Sequence, residues 1–436
     1  MKHCTNKNML QNKNVIIVGA GVSGIAAARL ASAKGANVRI LEKDPDAVDA
    51  DKARILEQNK IDITFGEHSR EQFEHGNMIV PSPGIPPGQI RNLLPENCNI
   101  PIYSELEFAY WFIDAPVVGV TGTNGKTTTV RLIENILRYA GYTVFLGGNI
   151  GVPLSDYAMS EDRVDIIVLE VSSFQLELIR DFRPHVGVLL NISPNHLDYH
   201  ADMQEYFLSK MRLFENQKSN DLAIFPAEMQ ETVQSENWTQ AEKRFFDSTY
   251  IWNCPALIGA HNQANIQAAT LVCEAWGVNE QVVENALSDF QSYPHRLQQV
   301  CEKGGVLFVD DSKATTLDAL KAALNSMDRP VLLLAGGIFK GGDPTELCGI
   351  IREKVRMIGL FGDSREIFEQ AWKDCAPMFW ENTLQDALKG LYATAARGDV
   401  VLLSPATSSF DLFSSYKERG RAFQKAVFDL DNRLNL

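Results

Sequence analysis

Seven consecutive residues, Gly122-Thr123-Asn124-Gly125-Lys126-Thr127-Thr128, hold the types that phosphate chemistry needs. Glycines let successive backbone N–H groups curl around phosphate oxygens, and a helix N-terminus adds the positive end of its dipole. Lys126 would reach the β- and γ-phosphates of a nucleoside triphosphate, and the Thr127 hydroxyl would ligate Mg2+. The string follows Val117-Val118-Gly119-Val120, which reads as a strand. It precedes Leu132, Ile133, Ile136 and Leu137, which recur at helical spacing. Five residues separate Gly119 from Gly125, where the common phosphate-loop pattern has four, so Gly122 anchors the string. The plain alternative is a glycine turn carrying a chance Gly-Lys-Thr, and the strand before and helix after weigh against it.

Two further positions could serve a metal. Glu170 ends the apolar run Asp165-Ile166-Ile167-Val168-Leu169, and parallel sheets gather ligands at the carboxyl ends of their strands. A carboxylate there suits Mg2+; as a helix N-cap, the competing role, Ser172 or Ser173 fits better. His196 follows the run from Val186 to Ile192 in the same way, with a structural or merely exposed histidine equally open.

Gly19-x-Gly21-x-x-Gly24 follows the run Val15-Ile16-Ile17-Val18, and Glu42 ends the next one. This is the dinucleotide fingerprint, which taken alone suggests an NAD-dependent oxidoreductase. The pattern reports only a tight turn and close phosphate approach, so any diphosphate-linked nucleotide fits it. Near the other end of the chain lie three polar clusters, each after a candidate strand: Asp310-Asp311-Ser312-Lys313-Ala314-Thr315-Thr316, Gly336-Gly337-Ile338-Phe339-Lys340, and Ser404 to Asp411. They should crowd one sheet edge, where lysines and hydroxyls would suit a small carboxylate substrate.

These motifs sit on repeated alternations of short β-branched runs with helix-length amphipathic stretches, the mark of βα units on parallel sheets. The expected fold is α/β in three domains: a Rossmann-like N-terminal domain over 1–104, a central P-loop ATPase-type domain over 105–298 and a Rossmann-like C-terminal domain over 299–436. The segment from Glu228 to Tyr250 is polar and gives no clear element. At 436 residues the chain is too long for one ordinary core. A net charge of −14 argues against binding nucleic acid over a broad surface. Seven cysteines, none in a CxxC pair, read as reduced thiols. No apolar run has the length to span a bilayer, and the polar start lacks the apolar core of a signal peptide, so a cytoplasmic protein without a membrane partner is expected.

The chain resembles the Mur ligases of peptidoglycan synthesis. The resemblance rests on Gly122 to Thr128, on Glu170-Val171-Ser172-Ser173-Phe174-Gln175-Leu176-Glu177, on Asn195-His196-Leu197-Asp198 and on His261-Asn262-x-x-Asn265. Pro294-His295-Arg296, the cluster at Asp310, Leu332 to Gly341, and Leu402 to Phe413 followed by Tyr416-x-x-Arg419-Gly420 extend it over almost the whole chain. It implies that ATP phosphorylates the carboxylate of UDP-N-acetylmuramoyl-L-alanine and that the amine of D-glutamate attacks the acyl phosphate, in a monomeric enzyme.

Carried over by motif, Gly122, Thr123, Asn124, Gly125, Lys126, Thr127 and Thr128 hold ATP, together with Asn262, Asn265, Arg296 and Asp311. Thr127 and Glu170 serve one Mg2+, and His196 with a carbamylated Lys210 serves a second. Val22, Ser23 and Lys43 hold the UDP, while Asn149, Ser172 and Gln175 orient the muramoyl-alanine arm. Lys313, Thr315, Lys340, Ser409 and Tyr416 lie near the amino acid, Lys313 as a catalytic residue alongside Lys126, Glu170, His196 and Lys210. The family often has Asp before the strand-end histidine, and here that residue is Asn195. A sibling ligase with another amino acid, a folylpolyglutamate synthase, an NAD-dependent oxidoreductase and an ATP-gated binding module are the rival readings. The N-terminal nucleotide block counts against the folate enzyme, and two metal positions count against a simple switch.

Overall fold

Runs of Val, Ile and Leu that are apolar on both sides form strands only where both faces of a sheet are covered, and that is how the three blocks fold. The structure, a computed structural model, describes residues 9–94, 99–193, 199–257, 259–291 and 294–430. The first sheet contains β1 (Asn14–Val18), β2 (Asn37–Glu42), β3 (Asp62–Phe65) and β4 (Met78–Pro81), in the order β3-β2-β1-β4 with every pairing parallel. The second contains β5 (Val117–Thr121), β6 (Val144–Gly148), β7 (Ile166–Glu170), β8 (Val186–Leu189), β9 (Leu222–Pro226) and β10 (Glu242–Phe246). Its order is β10-β9-β8-β5-β7-β6, again all parallel.

The third sheet contains β11 (Gln298–Lys303), β12 (Val306–Asp310), β13 (Val331–Gly336), β14 (Val355–Phe361), β15 (Met378–Trp380) and β16 (Val400–Leu403). Its order is β11-β12-β16-β13-β14-β15, with only β11 antiparallel to its neighbour. The α/β class with three sheets is therefore as expected. The polar segment from Glu228 to Tyr250 supplies a short helix, Gln230–Ser235, and the edge strand β10. Charged Glu242, Lys243 and Arg244 on that edge discourage further strand pairing.

The chain divides into two compact units, one taking residues 1–250 and 264–286 and the other 251–263 and 287–436. Within the first unit the first two sheets share a core. Ile17, Ile40 and Val80 belong to the same buried cluster as Phe108, Leu154, Ile167 and Phe225. The helix Val22–Ala33 joins them, with Arg29 paired to Asp156 at 3.0 Å. Glu107, fully buried, accepts the backbone N–H groups of Arg180, Asp181 and Phe182 and the indole N–H of Trp111 at 2.8 to 2.9 Å. Four donors around one carboxylate replace the water it gave up.

The second unit builds two apolar layers on the third sheet, one around Leu333, Ile358 and Trp372 and the other around Phe308, Leu391 and Phe423. Cys348 and Cys375 form a disulfide with Cα atoms 5.4 Å apart, against the expectation of single thiols. The two are 27 residues apart, and only the packing of the helix Cys348–Lys354 beside the turn after Arg365–Trp372 brings them together. Among the described residues no helix is long and apolar enough to cross a membrane.

Candidate functional site

The phosphate loop lies between β5 and the helix Lys126–Tyr139, whose Leu132, Ile133, Ile136 and Leu137 are fully buried. Burying each contributes roughly 1.5–3 kcal/mol, which fixes the helix start and with it the loop. Gly125 has φ +84°, and a Cβ there would stand 2.5 Å from Asn265 Oδ1, so both the turn and its neighbour demand glycine. Asn191, just past β8, accepts the N–H of Asn124 at 2.9 Å and donates back to its carbonyl at 3.1 Å. Thr123 Oγ1 donates to Ser193 O at 3.2 Å and stands 3.3 Å from the Tyr206 hydroxyl. Thr128 is half-buried in the first turn of that helix.

Register brings the carboxylate to the loop, because Val120 of β5 pairs with Glu170 of β7. Thr127 Oγ1 donates to Glu170 Oε2 at 2.7 Å, and Asn149 Nδ2 donates to Oε1 at 2.8 Å. Glu170 is 3% exposed. A buried hydroxyl and carboxylate in contact at a strand end make a hard-oxygen pair of the kind Mg2+ takes.

Lys126 Nζ donates to the carbonyls of Gly122 and Thr123, both at 2.8 Å. Lys210, on the helix Met203–Met211, reaches the Gly122 carbonyl at 3.1 Å and lies 4.4 Å from the centre of the Tyr206 ring. Burial, and then the neighbouring Lys126 charge, lowers the Lys210 amine to about 7. Tyr206 and Asn191 were missed in the sequence, because nothing local marks an aromatic ring beneath a lysine or an amide opposite a loop. His196 and Asn195 lie outside the described residues.

At the first sheet, Val22 is exposed and Ser23 half-buried, both opening the helix after the glycine turn. A Cβ at Gly24 would fall 2.1 Å from the Gly19 carbonyl, so that glycine sets how closely helix and strand approach. Glu42 accepts the N–H groups of Ala20 at 2.6 Å and Asp44 at 3.0 Å, tying the turn to the end of β2. Lys43 pairs with Glu67 at 2.9 Å, both exposed. Ser172 and Gln175 bond each other as a capping box on the helix Ser173–Leu176, so the N-cap role falls to Ser172.

In the second unit, β12, β16 and β13 are neighbours, and the three polar clusters leave their carboxyl ends together. Asp311 accepts Ser404 Oγ at 2.9 Å and the Leu297 N–H at 3.2 Å, and burial pushes its carboxyl up to about 7. Lys313 Nζ lies 5.5 Å from the Tyr416 ring centre. Ser409 is buried, Thr315 half-buried and Lys340 exposed. Arg296 keeps a buried Nε without a hydrogen-bond partner, and Asn262 is 5% exposed, as is Asn265 in the first unit. His295, at φ +68°, holds Asp310 through Nδ1 at 2.7 Å.

Comparison with known proteins agrees along the chain. Residues 13–95 match the Mur ligase MurD-like N-terminal domain, 120–249 the Mur ligase middle domain and 295–407 the Mur ligase glutamate ligase domain. The UDP-N-acetylmuramoylalanine–D-glutamate ligase of Oleidesulfovibrio alaskensis is 50% identical over 417 residues, covering 94% of this chain and 93% of that one. Its counterpart in Lawsonia intracellularis is 45% identical over 420 residues, covering 96% and 94%. Among solved structures, the MurF ligase from Thermotoga maritima in complex with ADP has a TM-score of 0.58 at 19% identity, covering 99% of this chain and 96% of that one. That likeness speaks for the fold.

Proposed function

The chain belongs to the Mur ligase family, and from that premise we propose that it joins D-glutamate to UDP-N-acetylmuramoyl-L-alanine, with ATP as phosphoryl donor. The observation that carries the chemistry is the convergence of Lys126, Lys210, Thr127 and Glu170 on the loop at Gly122. The relatives' names supply the choice of substrates.

A carboxylate is a poor electrophile until one of its oxygens becomes a good leaving group. In this reading a carboxylate oxygen of the muramoyl-alanine attacks the γ-phosphorus of ATP, giving an acyl phosphate and ADP. The neutral amine of D-glutamate then adds to the acyl carbon, the tetrahedral adduct expels inorganic phosphate, and the nitrogen loses its proton as the amide forms. Catalysis is chiefly positioning and charge neutralisation. Lys126 turns from its loop carbonyls to the γ-phosphate, and the N–H groups of Gly122 to Thr128 hold the remaining phosphate oxygens. Asn262, Asn265, Arg296 and Asp311 serve the rest of the nucleotide.

The Thr127 hydroxyl and Glu170 carboxylate fit one Mg2+. A second falls to His196 and Lys210, the latter as a carbamate, since an ammonium cannot be a ligand. Bound there, the ions would neutralise the phosphate charge that builds as the phosphoryl group moves. Val22, Ser23 and Lys43 hold the UDP, and Asn149, Ser172 and Gln175 the muramoyl-alanine arm. Lys313, Thr315, Lys340, Ser409 and Tyr416 receive the D-glutamate. The domains take these tasks as 1–104, 105–298 and 299–436, in a cytoplasmic monomer supplied with ATP and a UDP-linked precursor.

Phosphate release from ATP and UDP-N-acetylmuramoyl-L-alanine, followed across a panel of amino acids, tests the proposal. Release that requires D-glutamate supports it. Release with L-lysine or diaminopimelate instead would move the chain to a sibling reaction.

A further inference from the structure

Arg419 is fully buried, and no carboxylate of the described residues forms an ion pair with it. Its donors go instead to oxygens of three separate loops. Nε donates to Ser312 Oγ at 3.0 Å, and Nη2 donates to Ser312 O at 2.8 Å and Thr407 O at 3.0 Å. Nη1 reaches Gly336 O at 3.3 Å, Ser408 O at 3.2 Å and Thr407 Oγ1 at 3.4 Å. Ser312 follows β12, Gly336 ends β13, and Thr407 and Ser408 follow β16. These are the loops that carry Lys313 and Thr315, Lys340, and Ser409.

We propose that Arg419 is a positioning residue that fixes the mutual spacing of the three loops receiving the amino acid, and so sets the affinity for D-glutamate; this rests on the amino-acid site proposed above. The planar fork is the reason for arginine, because five fixed donors can span three loops where a lysine's single nitrogen cannot. Ser312 Oγ extends the link by donating to Tyr416 O at 2.8 Å, at the start of the helix that carries Arg419. The next residue on that helix is equally constrained, since a Cβ at Gly420 would fall 2.0 Å from His295 Nδ1. Burial lowers the Arg419 guanidinium to about 10, which leaves it charged near neutral pH. Thr407 Oγ1 also donates to Gly336 O at 2.6 Å and the Ala406 N–H to Ala314 O at 3.0 Å, so the loop after β16 touches each of the other two, and Arg419 bonds all three at once.

The test is steady-state phosphate release by the full-length protein carrying Arg419→Lys, with ATP, UDP-N-acetylmuramoyl-L-alanine and D-glutamate each varied in turn. The expected result is a KM for D-glutamate raised at least about tenfold, with the other two KM values within about twofold of wild type. A purely structural role would lower the active fraction, and hence apparent kcat, without this split. An unchanged KM for D-glutamate, or a common rise in all three, overturns the proposal. If Arg419→Lys does not fold, Ser312→Ala and Thr407→Val decide, each removing one partner and keeping the arginine. A selective rise in the same KM supports the role, and wild-type values in both overturn it. Failure of the underlying reading would show separately, as wild-type turnover that does not depend on D-glutamate.

Discussion

The ammonium groups of Lys126 and Lys210 share one acceptor, the carbonyl oxygen of Gly122, at 2.8 and 3.1 Å. Burial disfavours the charged form of the Lys210 amine, and the nearby Lys126 charge adds repulsion, so that amine falls to about 7. Only a neutral amine can add carbon dioxide. Below that value each unit of pH cuts the neutral share about tenfold. A carbamate signal from carbon-13-labelled bicarbonate should therefore grow between pH 6 and pH 8, and be missing in Lys210→Arg. A signal independent of pH, or one surviving in the variant, would count against the carbamylated lysine.

Glu170 meets Thr127 Oγ1 at 2.7 Å, and the proposed Mg2+ would bind to this pair. Glu170→Gln keeps the size and the ability to accept a hydrogen bond but removes the charge. The Mg2+ concentration for half-maximal phosphate release should rise at least about tenfold, the loss expected when a hard anionic ligand becomes a neutral one. An unchanged Mg2+ requirement would remove Glu170 from the metal site.

Asp311 gives a pH dependence of stability. Its folded carboxyl titrates at about 7, above the ordinary 3.8, because burial disfavours the charged form. Between those values the folded protein holds a proton that the unfolded chain has released. Its contribution is therefore fully present below about 4 and is lost as pH rises through about 7. Asp311→Asn should flatten this part of the profile, so that the variant loses less thermal stability than wild type between pH 5 and pH 7. Parallel profiles would refute the assignment.

Glu107 predicts a loss of stability away from the chemistry. Glu107→Ala leaves four N–H donors without their acceptor, that of Phe182 in a buried bond and the others part-buried, a destabilisation of about 1–3 kcal/mol. Urea denaturation should show a lower midpoint. A midpoint within error of wild type would mean that those donors find other partners.

The phosphate loop, the Glu170 strand end and the third-sheet clusters were legible because their signals are local: glycine spacing, and polar residues just after apolar runs. Glu107 and Arg419 were not, since their roles come from partners about 75 and up to 107 residues away that the sequence does not mark. Cys348 and Cys375 were misread for the same reason. The segment from Glu228 to Tyr250 was opaque because β10 is an edge strand, half-exposed, without the buried alternation that marks a strand in sequence. Ser172 shows the converse limit. Its N-cap role is a local matter and was readable, whereas the substrate role proposed for it depends on the family resemblance.

The central claim is that the muramoyl carboxylate is activated as an acyl phosphate before the amide forms. UDP-N-acetylmuramoyl-L-alanine labelled with oxygen-18 in its terminal carboxylate, turned over with ATP and D-glutamate, tests this most directly. The account predicts that the released inorganic phosphate carries one labelled oxygen from that carboxylate. Amide formed with wholly unlabelled phosphate would contradict it.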